Sequence, residues 1–421
     1  MARGARNGGS SSESKRASRG KTGRGGETRR RNRFLPLKDE PAGYVLDAAS
    51  LVLAHDFQDM IGVAEQLERS WPDKQPPATR ERCYDLVREA KRRGMFAILP
   101  PTDFHQSQRL LREFCSKDVA RRSIKVVDAR HDALVHVATG AAELLRSLVR
   151  KHAARRAPSE VHLGLGVGNS VLHVIEALAG LLRTMSDCPR FVVHACIPSG
   201  LMKRTGQPGG AGQATTAMMA EQLRSAVGQA ELIELDWAAW VPADAYKKTR
   251  EEIASHRAFQ QREAIDIIVV APAPAQPHSV LCDFIRNDLP PSVGEVTRDE
   301  LSAGAYVADV MCQPFSESGP LCLNRGMRAL TLFELDELVA FAAQPNKDVV
   351  LLGGPCSSCG GTRTAALRPL IANEALRIWN HLVVDSKTAA ELLDPHGVSP
   401  GACCSEADSP PAVPPPVHRP R

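Results

Sequence analysis

Three glycines at alternate positions, Gly164, Gly166 and Gly168, are followed by Asn169 and Ser170 and then by a long helical pattern. Glycine lets a backbone turn tightly and present its N–H groups, and a helix N-terminus adds the positive end of the helix dipole. That combination suits an anion, usually a phosphate. The spacing is not GxGxxG, because the third glycine comes too early, and no Lys-Ser/Thr pair follows as a P-loop requires. Two readings stay open on these residues alone: a phosphate or sugar-phosphate site, and a tight strand-to-helix turn with no ligand.

Other residue types offer other chemistry. Cys356 and Cys359 form a CxxC. Zinc would require two further ligands, with Cys312, Cys322 or a histidine brought close. A redox pair would profit from the start of the helix after Gly360, where a thiolate is stabilised. Small unreactive residues filling a turn are the third reading. For acid–base work, Asp266, Asp309 and Asp385 stand at or near predicted strand ends, and His162, His194 and His278 lie near the same strands. Each serves equally well as a cap or a satisfied structural side chain, and none belongs to a recognisable catalytic constellation. No catalytic residue, metal or cofactor is therefore assigned, and the chain is read as a non-enzyme.

The elements that would position these groups follow from periodicity. Residues 161–165 are a short all-apolar run flanked by glycine, the pattern of a parallel strand buried on both faces. Val171, Val174, Ile175, Leu178 and Leu182 then recur at the spacing of one helical face, with Asn169 or Ser170 where an N-cap belongs. Strands at 190–197, 232–235, 265–271, 348–352 and 381–385 alternate with helices at 215–227, 243–262, 364–375 and 387–393. Met218, Met219, Leu223 and Ala226 are expected inward. A helix at 107–114, a strand at 124–128 and a helix at 132–150 precede this run, and residues 306–324 are less regular. Such alternation implies a Rossmann-like α/β fold, a parallel sheet with helices on both faces whose ligands bind outside the carboxyl ends of the strands. Ser199, Gly200, Gly353 and Gly354 fall at such ends.

The front of the chain reads differently. Residues 1–45 are rich in Gly, Ser and Arg and are expected to be disordered. Residues 1–34 carry eleven Lys/Arg and two Glu, against 42 basic and 46 acidic residues in the rest of the chain. The tail is either an arm for nucleic acid, held by counterion release, or a solvated leader. Two helical patterns follow, one with Phe57, Met60, Ile61, Ala64 and Leu67 inward, the other with Cys83, Leu86, Val87 and Ala90 inward. A proline-broken link, SWPDKQPPA, joins them. Thr79 caps the second helix, Gly94 ends it, and 95–99 reads as a short strand, the layout of a winged helix-turn-helix. Thr79, Arg80, Arg82, Tyr84, Arg88, Lys91 and Arg92 would face DNA; a structural or dimerising hairpin fits the same periodicity. Residues 395–421 are a Pro-rich tail, also expected to be disordered. Eleven irregularly spaced cysteines suit a reducing compartment, and no apolar run reaches the ~18 residues of a membrane span, so a cytoplasmic protein is expected.

From residue 132 to 393 the chain resembles the effector-binding domain of SorC/DeoR-type bacterial transcriptional regulators, the central glycolytic gene regulators among them. LGLGVGNSVLHVIEAL resembles the family's signature strand, glycine turn and helix. GAYVADVMCQPFSESG is similar to its GAVGD segment with one extra residue, and VVLLGGPCSSCGGTRTAALRPLIANEALRIWNHLVVD to its closing strands and AALR helix. At the front, TRERCYDLVREAKRRGMF is similar to the family's recognition helix and wing. The resemblance implies a winged helix-turn-helix-like DNA-binding segment at 46–103 and a sugar-phosphate isomerase-like effector domain at 104–394. It implies a phosphorylated sugar effector that modulates operator affinity, double-stranded DNA as partner, and a homo-oligomer, dimer or tetramer. In the glycine turn that begins at Gly164, Gly166, Gly168, Asn169 and Ser170 would hold the effector phosphate, with Ser199 and Gly200 beside it and Gly353 and Gly354 closing the pocket. Two departures stand out. The family's lysine after the Gly-Gly pair is absent, and Arg363 is the first cation there; arginine can clamp a phosphate bidentately but forms no imine with an open-chain sugar. The turn between the two N-terminal helices is also about nine residues longer than the family's. The alternative reading is a sugar-phosphate-binding protein, or an isomerase- or deaminase-like enzyme, without sequence-specific DNA binding.

Overall fold

The computed structural model describes residues 37–54, 59–74, 79–93, 100–115, 121–129, 132–156, 159–185, 187–198, 215–276 and 279–394. Most of the N-terminal tail, the C-terminal tail, Phe57, Gly94, the strand expected at 95–99, Ser199, Gly200 and His278 lie outside the described residues. The chain divides into two compact units with their boundary between Leu86 and Val87.

The first unit holds α1 (Ala42–Ala54), α2 (Met60–Ser70) and the start of α3 (Arg80–Arg92). Helix α1 escaped the periodicity reading because its sequence, AGYVLDAASLVLA, is apolar at almost every position and no stripe stands out. It buries Tyr44, Val45, Ala48, Ala49 and Val52. Tyr44 meets Trp71 edge-on at 5.6 Å, and the Trp71 indole donates to Asp47 at 2.9 Å. Asp59 caps α2 by accepting from the Gly62 amide at 2.9 Å. The inward face of α2 is Met60, Val63, Ala64 and Leu67. Ile61, expected inward, is 69% exposed, because the face set by Met60 runs through Val63, and Ile61 lies about 100° away from it. In α3, Thr79 Oγ1 accepts from the Arg82 amide at 3.2 Å, and Cys83, Leu86, Val87 and Ala90 are buried as the spacing implied.

The second unit is organised by a seven-stranded parallel sheet. In chain order its elements begin with α4 (Phe104–Cys115), β1 (Ser123–Val127), α5 (Ala133–Ala153), β2 (Glu160–Leu165), α6 (Asn169–Leu182), β3 (Arg190–Ala195), α7 (Thr216–Val227) and β4 (Ala230–Ile233). Then come β5 (Trp240–Pro242), α8 (Tyr246–Ile253), α9 (Arg257–Gln260), β6 (Ile267–Val270), β7 (Pro272–Pro274), α10 (Val280–Asn287) and α11 (Pro291–Ala303). The chain continues through β8 (Ala308–Val310), β9 (Gln313–Ser316), β10 (Gly319–Pro320), β11 (Met327–Ala329) and α12 (Leu335–Ala343). It closes with β12 (Asp348–Gly353), α13 (Thr364–Ala372), β13 (His381–Asp385) and α14 (Ser386–Leu393). The strand order is β1-β13-β12-β6-β2-β3-β4, the Rossmann-like arrangement the alternation implied. Successive strand residues feed opposite cores. In β6, Ile267 and Val269 join the layer of α5, α6 and α7, while Ile268 and Val270 join the layer built with α4, α12 and α13. Both faces are therefore dry, which is why these strands read as unbroken apolar runs.

Two details differ from expectation. The helix expected at 243–262 is broken at His256, which leaves helical geometry, pairs with Asp236 at 2.7 Å and meets Trp237 edge-on. Met218 is 49% exposed, because α7 turns Thr216, Met219, Ala220 and Leu223 inward instead. The less regular region resolves into α10, α11 and a small antiparallel sheet, β10-β9-β8-β7, whose strands of two to four residues are too short to show alternation. No helix among the described residues is long and apolar enough to cross a membrane.

At the amino ends of the strands, opposite the glycine turn, Asp348 opens β12 buried among hydrogen-bond donors. His152 reaches it at 2.6 Å, His381 at 2.9 Å and Lys151 at 2.8 Å. Burial alone would raise this carboxyl, but the hydrogen bonds from His152, His381 and Lys151 outweigh it and hold the group well below the usual carboxylate range. A carboxyl depressed by folding contributes stability that is complete above its unfolded value, about 4, and is lost as pH falls through its lower folded value. Asp348→Asn is expected to lower stability at pH 7 by about 3 kcal/mol, since it removes the buried charge that the donors of His152, His381 and Lys151 are arranged around. Urea unfolding checks this: the midpoint falls at pH 7, and the gap from the parent narrows only below about pH 4.

Candidate functional site

The order of the sheet fixes where a ligand can sit. From β2 the chain proceeds outward to β3 and β4, whereas β6 pairs on the other side of β2. The connections leaving β2 and β6 thus diverge, opening a crevice beyond their carboxyl ends. The glycine turn enters it from β2, and the segment 271–274 enters it from β6.

Each glycine of the turn has its own reason. A Cβ on Gly164 would sit 3.1 Å from Ile268 and 3.2 Å from the Cys196 sulfur, so this residue serves close packing. Gly166 donates its N–H to Val269 O at 2.9 Å, prolonging the β2–β6 ladder, and a Cβ there would lie 3.3 Å from the same oxygen. Gly168 has open space around it but a φ of +111° and ψ of 162°, a conformation essentially reserved for glycine. It, rather than Asn169 or Ser170, is the N-cap of α6. A glycine cap supplies no side-chain acceptor, so the first-turn N–H groups of α6 are left for solvent or ligand.

Ser170 does something else. Its hydroxyl accepts from Arg363 Nη2 at 2.8 Å, while Arg363 Nη1 donates to Pro272 O at 3.1 Å. Arg363 is only 8% exposed, and its Nε has no hydrogen-bond partner. The guanidinium therefore ties together the start of α6, the segment after β6 and the loop before α13. Around it lies a cavity of about 340 Å³, lined among others by Gly168, Asn169, Ser279, Ser357 and Cys356. Among the described lining residues, Arg363 is the one charged at every pH of interest, and no carboxylate faces it. Three helices begin at the cavity: α6, α10, whose N-cap is Ser279, and α13, whose N-cap is Arg363. Their dipoles and the guanidinium share one sign, which suits an anion.

Gly353 and Gly354 are not among the lining residues. A Cβ on Gly353 would lie 2.5 Å from Val384 and 2.6 Å from Leu367, and one on Gly354 would lie 3.1 Å from Val137. They let the end of β12 pass between tightly packed neighbours, so that the following loop delivers Cys356, Ser357, Ser358 and Arg363 to the cavity. The segment 271–274, Ser279 and Ser357–Ser358 were missed in the sequence; prolines after the IIVV strand and a serine before VLCDFI were the available signals.

The acid–base candidates among the described residues lie elsewhere, each with its own partner. Asp309 accepts from the Tyr306 hydroxyl at 2.9 Å and from the Cys312 amide at 3.0 Å, and burial pushes its carboxyl up to about 7. Asp266 holds the His162 amide and Arg156, each at 2.9 Å, and Asp385 caps α14 through the Thr388 amide. His162 bridges His194 and Glu160 at 2.9 Å, and burial pushes His194 down to about 3. Cys312 and Cys322 line a separate cavity of about 370 Å³ with Tyr246, Arg328 and Glu334. Glu334 accepts from the Tyr246 hydroxyl there, and burial pushes it up to about 7. Among the described residues no cluster of His, Cys, Asp and Glu is arranged to hold a metal.

Of the residues expected to face DNA, Arg80, Arg88 and Lys91 are exposed and Tyr84 is half-buried. Arg82 is turned onto Glu40, which also pairs with Lys74. Arg92 is bridged to Glu89, whose carboxyl is held at about 2 chiefly by the hydrogen bond from Arg92.

No protein-family model and no curated protein matches the sequence. Solved structures do. The full-length sorbitol operon regulator SorC from Klebsiella pneumoniae matches with a TM-score of 0.50 at 15% identity, over 85% of this chain and 100% of that one. A probable sor operon regulator from Shigella flexneri matches over 69% and 98% of the two chains at 17% identity, with a TM-score of 0.47. A 6-phosphogluconolactonase from Plasmodium vivax follows at 11% identity and a TM-score of 0.33, over 66% and 98%. The likeness to the Klebsiella pneumoniae structure shows the α/β fold that the motifs implied.

Two glycines of α6 separate conformational need from space, since a Cβ on Gly168 or on Gly180 would meet nothing within 4 Å. Gly168→Ala is expected to destabilise by about 1–3 kcal/mol through backbone strain alone. Gly180→Ala, in regular helix, should stabilise by up to about 1 kcal/mol. Opposite shifts of the urea midpoint would verify the pair; equal shifts would contradict the role given to Gly168.

Proposed function

We propose that this chain is an effector-responsive, DNA-binding transcriptional regulator of the cytoplasm. In this reading residues 46–103 bind double-stranded DNA, and residues 104–394 bind a phosphorylated sugar and modulate operator affinity. One observation carries the effector half: a buried guanidinium, Arg363, at the sheet's switch point with three helix N-termini around it and no carboxylate on the described walls. A phosphate would take charge-assisted hydrogen bonds from Arg363 and from the first-turn N–H groups of α6. Asn169, Ser357 and Ser358 offer amide and hydroxyl groups to the sugar. Gly353 and Gly354 aim the loop, and Gly164 and Gly166 seat the turn. Binding rather than turnover is supported by Asp266, Asp309 and Asp385 being held by other partners.

The output follows from linkage. A homo-oligomer, dimer or tetramer, whose two arrangements differ in effector affinity shifts its operator affinity by the same free energy. Thr79, Arg80, Tyr84, Arg88 and Lys91 would meet the duplex, and Arg82 and Arg92 would have to exchange their carboxylates for phosphate. That commitment of Arg82 to Glu40 and Arg92 to Glu89 is what favours a second reading, a sugar-phosphate-binding protein without sequence-specific DNA contact.

Selection of genomic DNA fragments by the full-length protein at ~0.2 M salt, where non-specific phosphate contacts are weak, tests the proposal. One palindromic sequence should be enriched, and a pool of sugar phosphates should strengthen or abolish the enrichment. Binding that shows no preferred site and fades steeply with salt would leave the second reading in place.

A further inference from the structure

The rim of the cavity carries a dithiol that neither anion binding nor DNA reading uses. Cys356 lines the cavity, half-buried, and Cys359 is exposed three residues on. The loop between them is closed by its own backbone: the Gly360 amide donates to Cys356 O, and the Cys356 amide to Gly361 O, both at 2.8 Å. Gly360, at φ +70°, makes that closure possible. The closed loop turns the Ser358 and Cys359 amides onto the Cys356 sulfur, and the Cys359 thiol hydrogen-bonds to it. Arg363 lines the same cavity, and its charge acts on that sulfur.

These contacts decide the ionisation of Cys356. Burial opposes a charge there, but the two amides, the Arg363 guanidinium and the Cys359 thiol outweigh it and lower the thiol below the ordinary cysteine value. Buried Cys83, Cys196 and Cys312 are pushed up by burial instead. When ionised, the Cys356 sulfur is thus a nucleophile with the Cys359 thiol against it, and it is then also a counter-charge to the residue that would hold an anion.

We propose that Cys356 and Cys359 form a peroxide-oxidised dithiol, and that closing their disulfide removes the counter-charge from Arg363 and tightens anion binding in the cavity. The second clause rests on the anion reading of the pocket; the first does not. In the first step the Cys356 thiolate attacks one oxygen of a hydroperoxide and the O–O bond breaks. The leaving oxygen takes up a proton and departs as the alcohol, or as water from hydrogen peroxide, leaving Cys356 as a sulfenic acid. The Cys359 sulfur, giving up its proton, then attacks the Cys356 sulfur. The S–S bond forms, the S–O bond breaks, and the hydroxide leaves as water. The peroxide gains the two electrons the sulfurs lose, and a thiol reductant reverses the change.

Hydrogen peroxide titration of the full-length protein, read by peptide mass spectrometry under non-reducing conditions, tests the dithiol. The Cys356–Cys359 disulfide should appear before exposed Cys322 is oxidised, and iodoacetamide at pH 7 should label Cys356 ahead of Cys322. Equilibrium dialysis against inorganic phosphate then tests the coupling. The oxidised protein should bind about tenfold more tightly than the reduced one, as loss of a unit charge a few ångströms away implies. Cys356→Ser should bind like the oxidised form in either redox state, and Cys359→Ser should form no internal disulfide and stay weak. Oxidation of Cys322 at the same rate as Cys356, or no 356–359 disulfide, overturns the dithiol. A disulfide without change in phosphate affinity overturns the coupling. Absence of phosphate binding in both states removes the pocket reading and the coupling with it, while the disulfide map still decides the dithiol.

Discussion

A guanidinium held out of water needs its donors satisfied, and in this chain that need joins three distant segments. Arg363 spans from the Ser170 hydroxyl at the start of α6 to the Pro272 carbonyl after β6, and it comes from the loop that follows β12. β2, β6 and β12, which lead to those segments, stand side by side in the sheet as β12-β6-β2. The pocket is thus a consequence of strand order, made chemically specific by one cation. A buried cation without a carboxylate beside it is costly, and such a cost is usually retained where an anion offsets it.

The positioning devices around Arg363 are mostly steric. Gly164, Gly353 and Gly354 occupy places where a side chain would strike Ile268, Val384 or Val137, and Gly166 prolongs the ladder against Val269. Among Gly164, Gly166, Gly168, Gly353 and Gly354, Gly168 alone is required for its backbone angle. At the amino ends of the strands the problem is inverted: a carboxylate, Asp348, is buried and surrounded by Lys151, His152 and His381. The sheet therefore carries an acidic anchor at the amino end of β12 and a cationic pocket beyond its carboxyl end.

How much of this was legible from residues alone follows from the range of each interaction. The strand-turn-helix around Gly166 and the alternation of strands and helices are local patterns, so the α/β sheet could be read directly. Helix α1 was harder to read, since exposed Leu46 shares its outer side with Asp47 and Ser50 and blurs the face. Strands β7 to β10 could not be read, being shorter than any alternation. The pairing of Arg363 with Ser170 spans 193 residues and leaves no mark in either neighbourhood; the arginine was noticed only where the SorC/DeoR-type motif has a lysine. Ser199 and Gly200 lie outside the described residues, so their place beside the pocket rests on the resemblance alone.

The central claim is that Arg363 makes this cavity a phosphate site. Calorimetric titration of phosphorylated sugars and their unphosphorylated parents into the full-length protein and its Arg363→Met variant tests it most directly. Methionine fills similar volume without charge, so the fold should survive. The account predicts that at least one phosphorylated sugar binds the parent protein, that its unphosphorylated parent does not, and that the variant loses roughly ten- to a hundredfold in affinity, the worth of one or two charge-assisted hydrogen bonds. Equal affinity of the two proteins for the same phosphorylated sugar would contradict it.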